Sequence, residues 1–167
     1  PVAAQGYPDM AIDIPDEEIE AVVNSPEGGT DRQIRIVDMG PYNLAVGVIH
    51  REATEDDGGP VTGIIHSQVT ETYVVRSGSG TLVTGGTIPN PVELPETSEV
   101  VRILNGPTVY GENEGGRGRV VQEGDVIIIP AGVFHGWTDI DDHVTYLSIR
   151  PDPDKVLEAG YVNPAIE

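Results

Sequence analysis

The sequence predicts a single all-β domain, and three observations support this fold class. The chain has 167 residues, a length that suits one domain with a real hydrophobic core. It contains 21 glycines and 14 prolines, which fit a protein with many turns better than a helical bundle. Its apolar residues occur in short runs, and the run Val126–Ile129 is β-branched at every position. Short runs of this kind, separated by turn residues, are typical of β-strands.

A short helix is predicted near the N-terminus, after a loose segment at residues 1–10. Pro15 suits the first turn of a helix, and the acidic residues that follow it complement the helix dipole. The segment that starts at Ser25, SPEGGT, should end the helix. The helix should lay an apolar stripe on a sheet. The stripe consists of Ile14, Ile19, Val22 and Val23.

Two strands are predicted after this helix. Gln33–Val37 alternates between polar and apolar residues, and Gly40 and Pro41 then turn the chain. The next segment, Tyr42–His50, also alternates, which should place one row of side chains on the inner face of a sheet. That row consists of Tyr42, Leu44, Val46, Val48 and His50.

The middle of the chain gives further strand and turn signals. A strand signal begins at Val61 and continues to Val75. Ser77–Gly80 is glycine-rich and is predicted to be a hairpin turn, from which Thr81–Thr84 returns. The proline-rich segment Thr87–Pro95 should cross the surface or rim a barrel, because proline is excluded from central strands.

The next segments are predicted to be a strand, a loop and a second strand. Glu99–Leu104 is strand-like, and Asn105–Gly118, with five glycines, should be a loop. Val126–Ile129 should then be a strand buried on both faces, ended by Pro130 and Gly132.

The last elements include a histidine on a strand. The chain restarts after the turn, and strand alternation places His135 and Trp137 on one face. Asp141-Asp142 is predicted to be a turn, and His143–Arg150 to be the last strand. Asp154–Ala159 should add one helical turn near the C-terminus.

Composition excludes several classes of function. With 28 acidic and 9 basic residues, the net charge is -19, so nucleic acid and anionic membranes are poor partners. The chain has no cysteine, which removes disulfides, thiolate catalysis and Cys-based zinc sites. No apolar run reaches the ~20 residues that a membrane helix needs. We expect a cytoplasmic protein, with a removed signal peptide as the alternative.

Two stretches carry glycine, proline, histidine and glutamate at patterned spacings. Their matching positions are Gly58, His66, Glu71 and Gly78 in the first stretch, and Gly124, Pro130, Gly132 and His135 in the second. Together they resemble the two motifs of the cupin superfamily. Ile64 replaces the first histidine of that pattern, and Asp139 replaces its final asparagine. The resemblance covers roughly residues 42–150 and implies one small jelly-roll β-barrel (a double-stranded β-helix) with a metal or ligand site inside.

The resemblance also divides the chain and implies a ligand set. We expect an N-terminal arm with a short helix (1–31), a cupin barrel (32–150) and a C-terminal tail (151–167) with a short helical segment. The implied metal ligands are His66, Glu71 and His135. Two imidazoles and a carboxylate suit a divalent ion, with Fe(II) ahead of Mn, Ni or Zn. Gln68 and His50 are candidate fourth ligands. The alternative is a metal-free barrel in which a buried His–Glu pair is a hydrogen-bonded core element.

The predicted function is that of a metal-dependent enzyme acting on a small oxygenated or aromatic molecule, with a dioxygenase favoured. His66 and Glu71 are the candidate catalytic residues. Tyr73 shares strand parity with Glu71, and Trp137 with His135, so these aromatic side chains and His50 are expected to line a substrate pocket. The alternatives are a lyase, isomerase or epimerase, with or without a metal, and a non-catalytic binding protein.

A homodimer is predicted from the apolar strand Val126–Ile129. One short helix cannot cover its outward set, which is either Val126 and Ile128 or Ile127 and Ile129, together with Val74. A second copy of the chain would cover it.

Overall fold

The computed structural model describes residues 6–167 of the chain. Residues 1–5, half of the predicted loose segment, lie outside the described residues. The elements are α1 (Asp16–Val23), β1 (Asp31–Asp38), β2 (Asn43–Thr54), β3 (Thr62–His66), β4 (Glu71–Thr84), β5 (Val92–Glu93), a π-helix (Val100–Asn105), β6 (Thr108–Glu112), β7 (Arg117–Gln122), β8 (Val126–Ile129), β9 (His135–Thr138), β10 (Ile140–Asp152) and a 3-10 helix (Pro164–Ile166).

The strands form one antiparallel sheet that curls into a barrel, so the predicted all-β class is confirmed. The strand order is β1-β2-β10-β4-β9-β3-β6-β5, and β7 and β8 both pair with β4. The largest buried cluster lies inside the curl, where β4 and β10 contribute Tyr73, Val75, Val144 and Tyr146. The two long strands therefore build the wall that carries most of the core.

The predicted hairpin at Ser77–Gly80 is wrong, because β4 runs without a break from Glu71 to Thr84. Gly78 has a φ of +73°, and a Cβ at this position would lie 1.9 Å from the backbone oxygen of His143. The strand thus bends at Gly78 and exchanges β8 for β7 and β9 as its neighbours. Glycine is needed for a bend here, which the sequence pattern does not distinguish from a turn.

The region between residues 99 and 118 also differs from its prediction. Glu99–Leu104, predicted as a strand, is mostly π-helix, and its buried residues Val101 and Leu104 are three positions apart as on a helix face. Asn105–Gly118, predicted as a loop, contains all of β6 and the beginning of β7. The periodicity of a short apolar run does not distinguish a helix from a strand. Glycines inside β6 and β7 also make these strands resemble a loop in the sequence.

The predicted inner row on β2 lies on the outer face. Val46 and Val48 pack with Ile19 and Val22 of α1, so the helix and its apolar stripe form as predicted but cover this face from outside. Ile49 packs in the main core instead. The alternation predicted along β2 is therefore right, but the predicted inner row faces outward. Both faces of the strand are apolar, because α1 covers the outer one.

Strand β8 forms where predicted but is buried on one face only. Val126 and Ile128 are 59% and 69% exposed, while Ile127 and Ile129 are buried in the core. The outward set of the homodimer prediction is therefore the pair Val126 and Ile128.

The C-terminal predictions need two corrections. Asp141 and Asp142 lie inside β10, and the turn falls at Asp139, whose φ is +52°. Aspartate and asparagine tolerate this conformation, which gives the motif position a backbone role. Asp154–Ala159 forms turns rather than a helix, and the buried Asp152 carboxylate accepts from the backbone N–H groups of residues 156 and 157.

Candidate metal centre

Three buried side chains converge at one end of the barrel. His66 is the last residue of β3, Glu71 is the first of β4, and His135 is the first of β9. The Nε2 atoms of His66 and His135 lie 3.3 Å and 3.0 Å from Oε2 of Glu71. All three side chains are buried, and their ligand atoms lie within 4.8 Å of one another.

The tautomer of each histidine is set by the acceptor at its Nδ1 atom. His135 Nδ1 lies 3.0 Å from the backbone oxygen of Val133, which only accepts, so Nδ1 carries the proton. His66 Nδ1 lies 2.8 Å from Oγ1 of Thr108, and the Thr108 hydroxyl donates to the backbone oxygen of Gly106. The Thr108 oxygen must therefore accept from His66. In the neutral form, both rings present the lone pair of Nε2 to Glu71.

This arrangement brings two lone pairs against a carboxylate oxygen. Within residues 6–167, neither Nε2 atom has a hydrogen-bond partner, although both are buried and close to Glu71. Buried polar nitrogens without partners are uncommon and indicate a missing cation or donor. A divalent metal ion satisfies all three atoms at once, and N,N,O is a donor set that Fe, Mn, Ni and Zn accept. The residues present therefore fit a metal.

The Glu71 carboxylate is held in its charged form. Its Oε1 atom accepts from Ser148 Oγ at 2.7 Å and from Arg150 Nε at 2.9 Å, and Oε2 accepts from the Tyr73 hydroxyl at 3.1 Å. Burial alone would raise the pKa of this carboxyl, but the positive charge of Arg150 holds it well below its usual range. Glu71 is therefore an anion at neutral pH and is available as a ligand.

Burial also keeps one histidine in its ligand form. The pKa of His66 is lowered below 6.5, first by burial and against the opposing effect of Glu71. His66 is then neutral at pH 7, with its Nε2 lone pair free.

A cavity of about 270 Å³ lies beside Glu71. Its wall includes Ile64, which pairs with His135 across β3 and β9 and stands where the cupin pattern has a histidine. Other lining residues are Asp31, Ile49, Arg51, Tyr73, Leu94, Val100, Leu104, Asn105, Tyr110 and Tyr146. An apolar side chain at the cavity wall thus takes the place of a further ligand next to the triad.

The other predicted site residues lie apart from the triad or beside it. His50 lies opposite Thr145 across β2 and β10, with Nδ1 2.7 Å from Thr145 Oγ1, and it is not among the converging ligand candidates of the described residues. Gln68 is half-buried in the bend after β3, and its role stays a prediction. Tyr73 lines the inner cavity, as expected. His50 and Trp137 line an outer cleft of about 500 Å³, whose wall shares Arg51 with the inner cavity.

Sequence reasoning missed the residues that support the triad. Arg150, Ser148 and Thr108 are all buried and hold Glu71 or His66 in place. The available signal was on β10, where Ser148 and Arg150 share the parity of Tyr146, so two polar residues occupy the inner face of a core strand. Thr108 gave no such signal, because its segment was predicted to be a loop.

Comparisons with known proteins identify the fold. No protein-family model and no curated protein matches the sequence. The structure is similar to the Bacillus halodurans protein BH2720, with a TM-score of 0.53 and 17% identity over 95% of this chain and 92% of that one. It also resembles a Klebsiella pneumoniae protein with a double-stranded β-helix domain, with a TM-score of 0.46 and 17% identity over 82% of this chain and 88% of that one.

A third similar structure is the DMSP lyase DddQ from Ruegeria pomeroyi, with a TM-score of 0.42 and 15% identity over 77% of this chain and 52% of that one. Similarities at this level of identity concern the fold alone. The curled, mostly β architecture agrees with the β-barrel that the two motifs predicted. Among residues 6–167, no helix is long and apolar enough to cross a membrane.

Proposed function

We propose that this protein is a metal-dependent enzyme that acts on a small organic molecule. The observation that carries the proposal is the pair of buried Nε2 atoms, without hydrogen-bond partners, facing the Glu71 carboxylate. A core histidine with a purely structural role would have both ring nitrogens satisfied. Here each ring has its Nδ1 atom fixed by an acceptor, as the rings of metal-ligating histidines usually do.

An oxygenase with Fe(II) is the reaction class that this ligand set supports best. Three protein ligands leave up to ~3 positions on an octahedral ion, whereas a histidine in place of Ile64 would remove one of them. Iron held in this way supplies redox chemistry with dioxygen, and the other divalent ions supply Lewis acidity. The inner cavity beside Glu71 and Ile64 gives a substrate access to the same place.

A lyase or isomerase is the second candidate, and the Tyr73 hydroxyl favours it. Burial raises the pKa of Tyr73 well above 10, so the hydroxyl stays protonated. It donates a hydrogen bond to Oε2 of Glu71 at 3.1 Å. A protonated phenol at a cavity wall is suited to hydrogen-bonding a substrate oxygen while a metal polarises the substrate carbonyl. Such a reaction needs no oxidant.

Oxygen consumption separates these candidates. The Fe(II)-loaded protein is assayed against catechols, diketones and hydroxy acids, with Glu71→Gln as the variant that removes the ligand charge. The oxygenase proposal expects oxygen uptake that tracks substrate loss and disappears in Glu71→Gln. Equal turnover under strict anaerobiosis would exclude it and leave the lyase or isomerase. Binding without turnover for any metal would favour a binding protein.

We also propose that a second copy of the chain covers the outer face of β8. Val126 and Ile128 are exposed there, and β8 pairs with the stretch of β4 that carries the half-buried Val74. Ile128→Glu should convert a dimer to a monomer in light scattering, because it places a charge in an apolar contact. A wild-type protein that is monomeric at all concentrations would contradict the proposal.

A further inference from the structure

One wall of the inner cavity carries polar groups that the metal centre does not use. Arg51 of β2, Asp31 of β1 and Asn105 at the end of the π-helix all line this cavity with Glu71. Their positions are fixed by three different elements, so the wall is built by the tertiary fold. Each of the three residues keeps a polar group without a protein partner.

Arg51 is a half-buried cation without a carboxylate partner. Its Nε atom donates to the Tyr146 hydroxyl at 3.0 Å, and within residues 6–167 its guanidinium forms no ion pair. The chain has 28 acidic residues against 9 basic ones. Most of the basic side chains lie within 4.0 Å of a carboxylate. A guanidinium kept free at a cavity wall is suited to a bidentate contact with an anion.

Asp31 and Asn105 each leave one buried oxygen without a donor. Oδ2 of Asp31 accepts from Arg150 at 2.5 Å and from the Asn105 amide at 3.4 Å, whereas its Oδ1 atom has no partner. The Oδ1 atom of Asn105, a residue only 3% exposed, also has none. Buried acceptors need a donor from a ligand or a water molecule.

The volume and location of the cavity limit the ligand. About 270 Å³ is below the usual range for drug-sized ligands, so the cavity suits a molecule of few heavy atoms. Arg51 also lines the outer cleft with His50 and Trp137. Arg51 therefore places a positive charge at the wall of both spaces, on a protein whose net charge of -19 otherwise repels anions.

We propose that the inner cavity binds a small hydroxy acid, with its carboxylate on Arg51 and its hydroxyl donating to the free oxygen of Asn105. A hydroxyl fits better than an ammonium group, because the charge of Asp31 is already compensated by Arg150. The acid would be the substrate of the enzyme proposed above. Its conversion depends on that proposed function, whereas its binding does not. The binding contacts themselves involve none of the three metal ligands.

Calorimetry on the protein as purified tests the proposal, with glycolate, lactate and malate as probes. At least one acid should bind, while its methyl ester, which lacks the charge, and its deoxy analogue, which lacks the hydroxyl, should bind at least about tenfold more weakly. Arg51→Gln should weaken binding of the acid by a similar factor. The matched control is Arg117→Gln, an exposed arginine on β7, which should leave binding unchanged. Asn105→Leu should erase the preference for the hydroxy acid over its deoxy analogue.

The metal content of each variant keeps this test separate from the proposed function. Arg51→Gln and Asn105→Leu should retain the metal of the wild type, since neither residue is a ligand. An acid that binds equally well to wild type and Arg51→Gln, an ester that binds as tightly as its acid, or no binding of any probe would overturn the proposal. Binding that follows the expected pattern in a protein without metal would uphold this inference and remove the metal-dependent function.

Discussion

Two histidine pairs lie on this barrel, and only one of them is arranged to hold a cation. The inner pair, His66 and His135, has its ring centroids 4.8 Å apart and shares the carboxylate of Glu71. The outer pair, His50 and His143, has its ring centroids 5.6 Å apart and stacks nearly parallel. Both pairs have carboxylates nearby, so residue types alone do not distinguish them.

The difference lies in direction and burial. Each ring nitrogen of the outer pair has its own neighbour: Thr145 and Glu52 for His50, Ser77 and Asp142 for His143. The outer carboxylates are 86% and 90% exposed, so water solvates them without help from the protein. In the inner pair, neither Nε2 atom has a hydrogen-bond partner among the described residues, and both face the buried carboxylate of Glu71. Converging, unsatisfied and buried atoms make a metal site, and satisfied surface atoms do not.

The largest effect is expected from the buried cation behind the inner carboxylate. Arg150→Gln removes the charged partner of Glu71 and leaves a buried anion poorly compensated, which should cost about 3–5 kcal/mol of unfolding free energy. Urea denaturation measures this loss. Arg76→Gln, which breaks the solvent-exposed pair with Asp16 and Glu20, should cost only ~0–1 kcal/mol. Similar losses in the two variants would contradict the account of Glu71.

The next effect comes from the hydroxyls that fix the tautomers. Thr108→Val keeps the shape of the side chain but removes the acceptor for His66 Nδ1, so metal affinity should fall by roughly 10–100-fold. Thr145→Val removes the equivalent acceptor from His50 and should leave metal affinity unchanged. Competition against a chromophoric chelator measures both. Equal effects would mean that the Nδ1 contact of His66 plays no part in metal binding.

A smaller change should come from restoring the ligand that the cupin pattern has at position 64. Ile64→His places an imidazole opposite His135 on the cavity wall, which should tighten metal binding by about tenfold, or ~1.4 kcal/mol. Ile64→Val, which cannot ligate, is the control. If the histidine variant binds metal no better than the valine variant, the side chain at this position does not reach the ion.

The smallest effect concerns pH and the metal-free protein. Burial lowers the pKa of His66, so the unfolded chain takes up a proton near pH 6.5 that the folded chain does not. The free energy of unfolding should therefore decrease as the pH falls from about 7.5 to 5.5. In His66→Gln this slope should be shallower, whereas in His50→Gln it should match the wild type. An unchanged slope in His66→Gln would show that His66 is not the group responsible.

The fold was largely predictable from the sequence, and most errors have one of two physical causes. The two motifs and the short β-branched runs predict the barrel, and α1 forms where its acidic first turn and apolar stripe place it. Some errors fall where glycines inside a strand imitate a turn or a loop, and others fall where an apolar run fits two structures. The buried residues of the π-helix imitate a strand, and β2 is apolar on both faces because α1 covers the outer one.

The candidate site was predictable in its ligands and not in its supports. His66, Glu71 and His135 lie at motif positions, and the structure brings them together. Thr108, Arg150 and Asp31 reach the site from β6, β10 and β1, which are distant in the sequence. Only the tertiary fold places them there.

Elemental analysis of untagged protein tests the central claim most directly. Wild type is compared with His135→Ala, which removes one inner ligand, and with His143→Ala, which removes a histidine of the outer pair. The account predicts a divalent metal in near-stoichiometric amount in wild type and in His143→Ala, and its loss from His135→Ala while the circular dichroism of the fold persists. Full metal content in His135→Ala, or loss of metal from His143→Ala alone, would contradict the assignment of the metal to the inner pair.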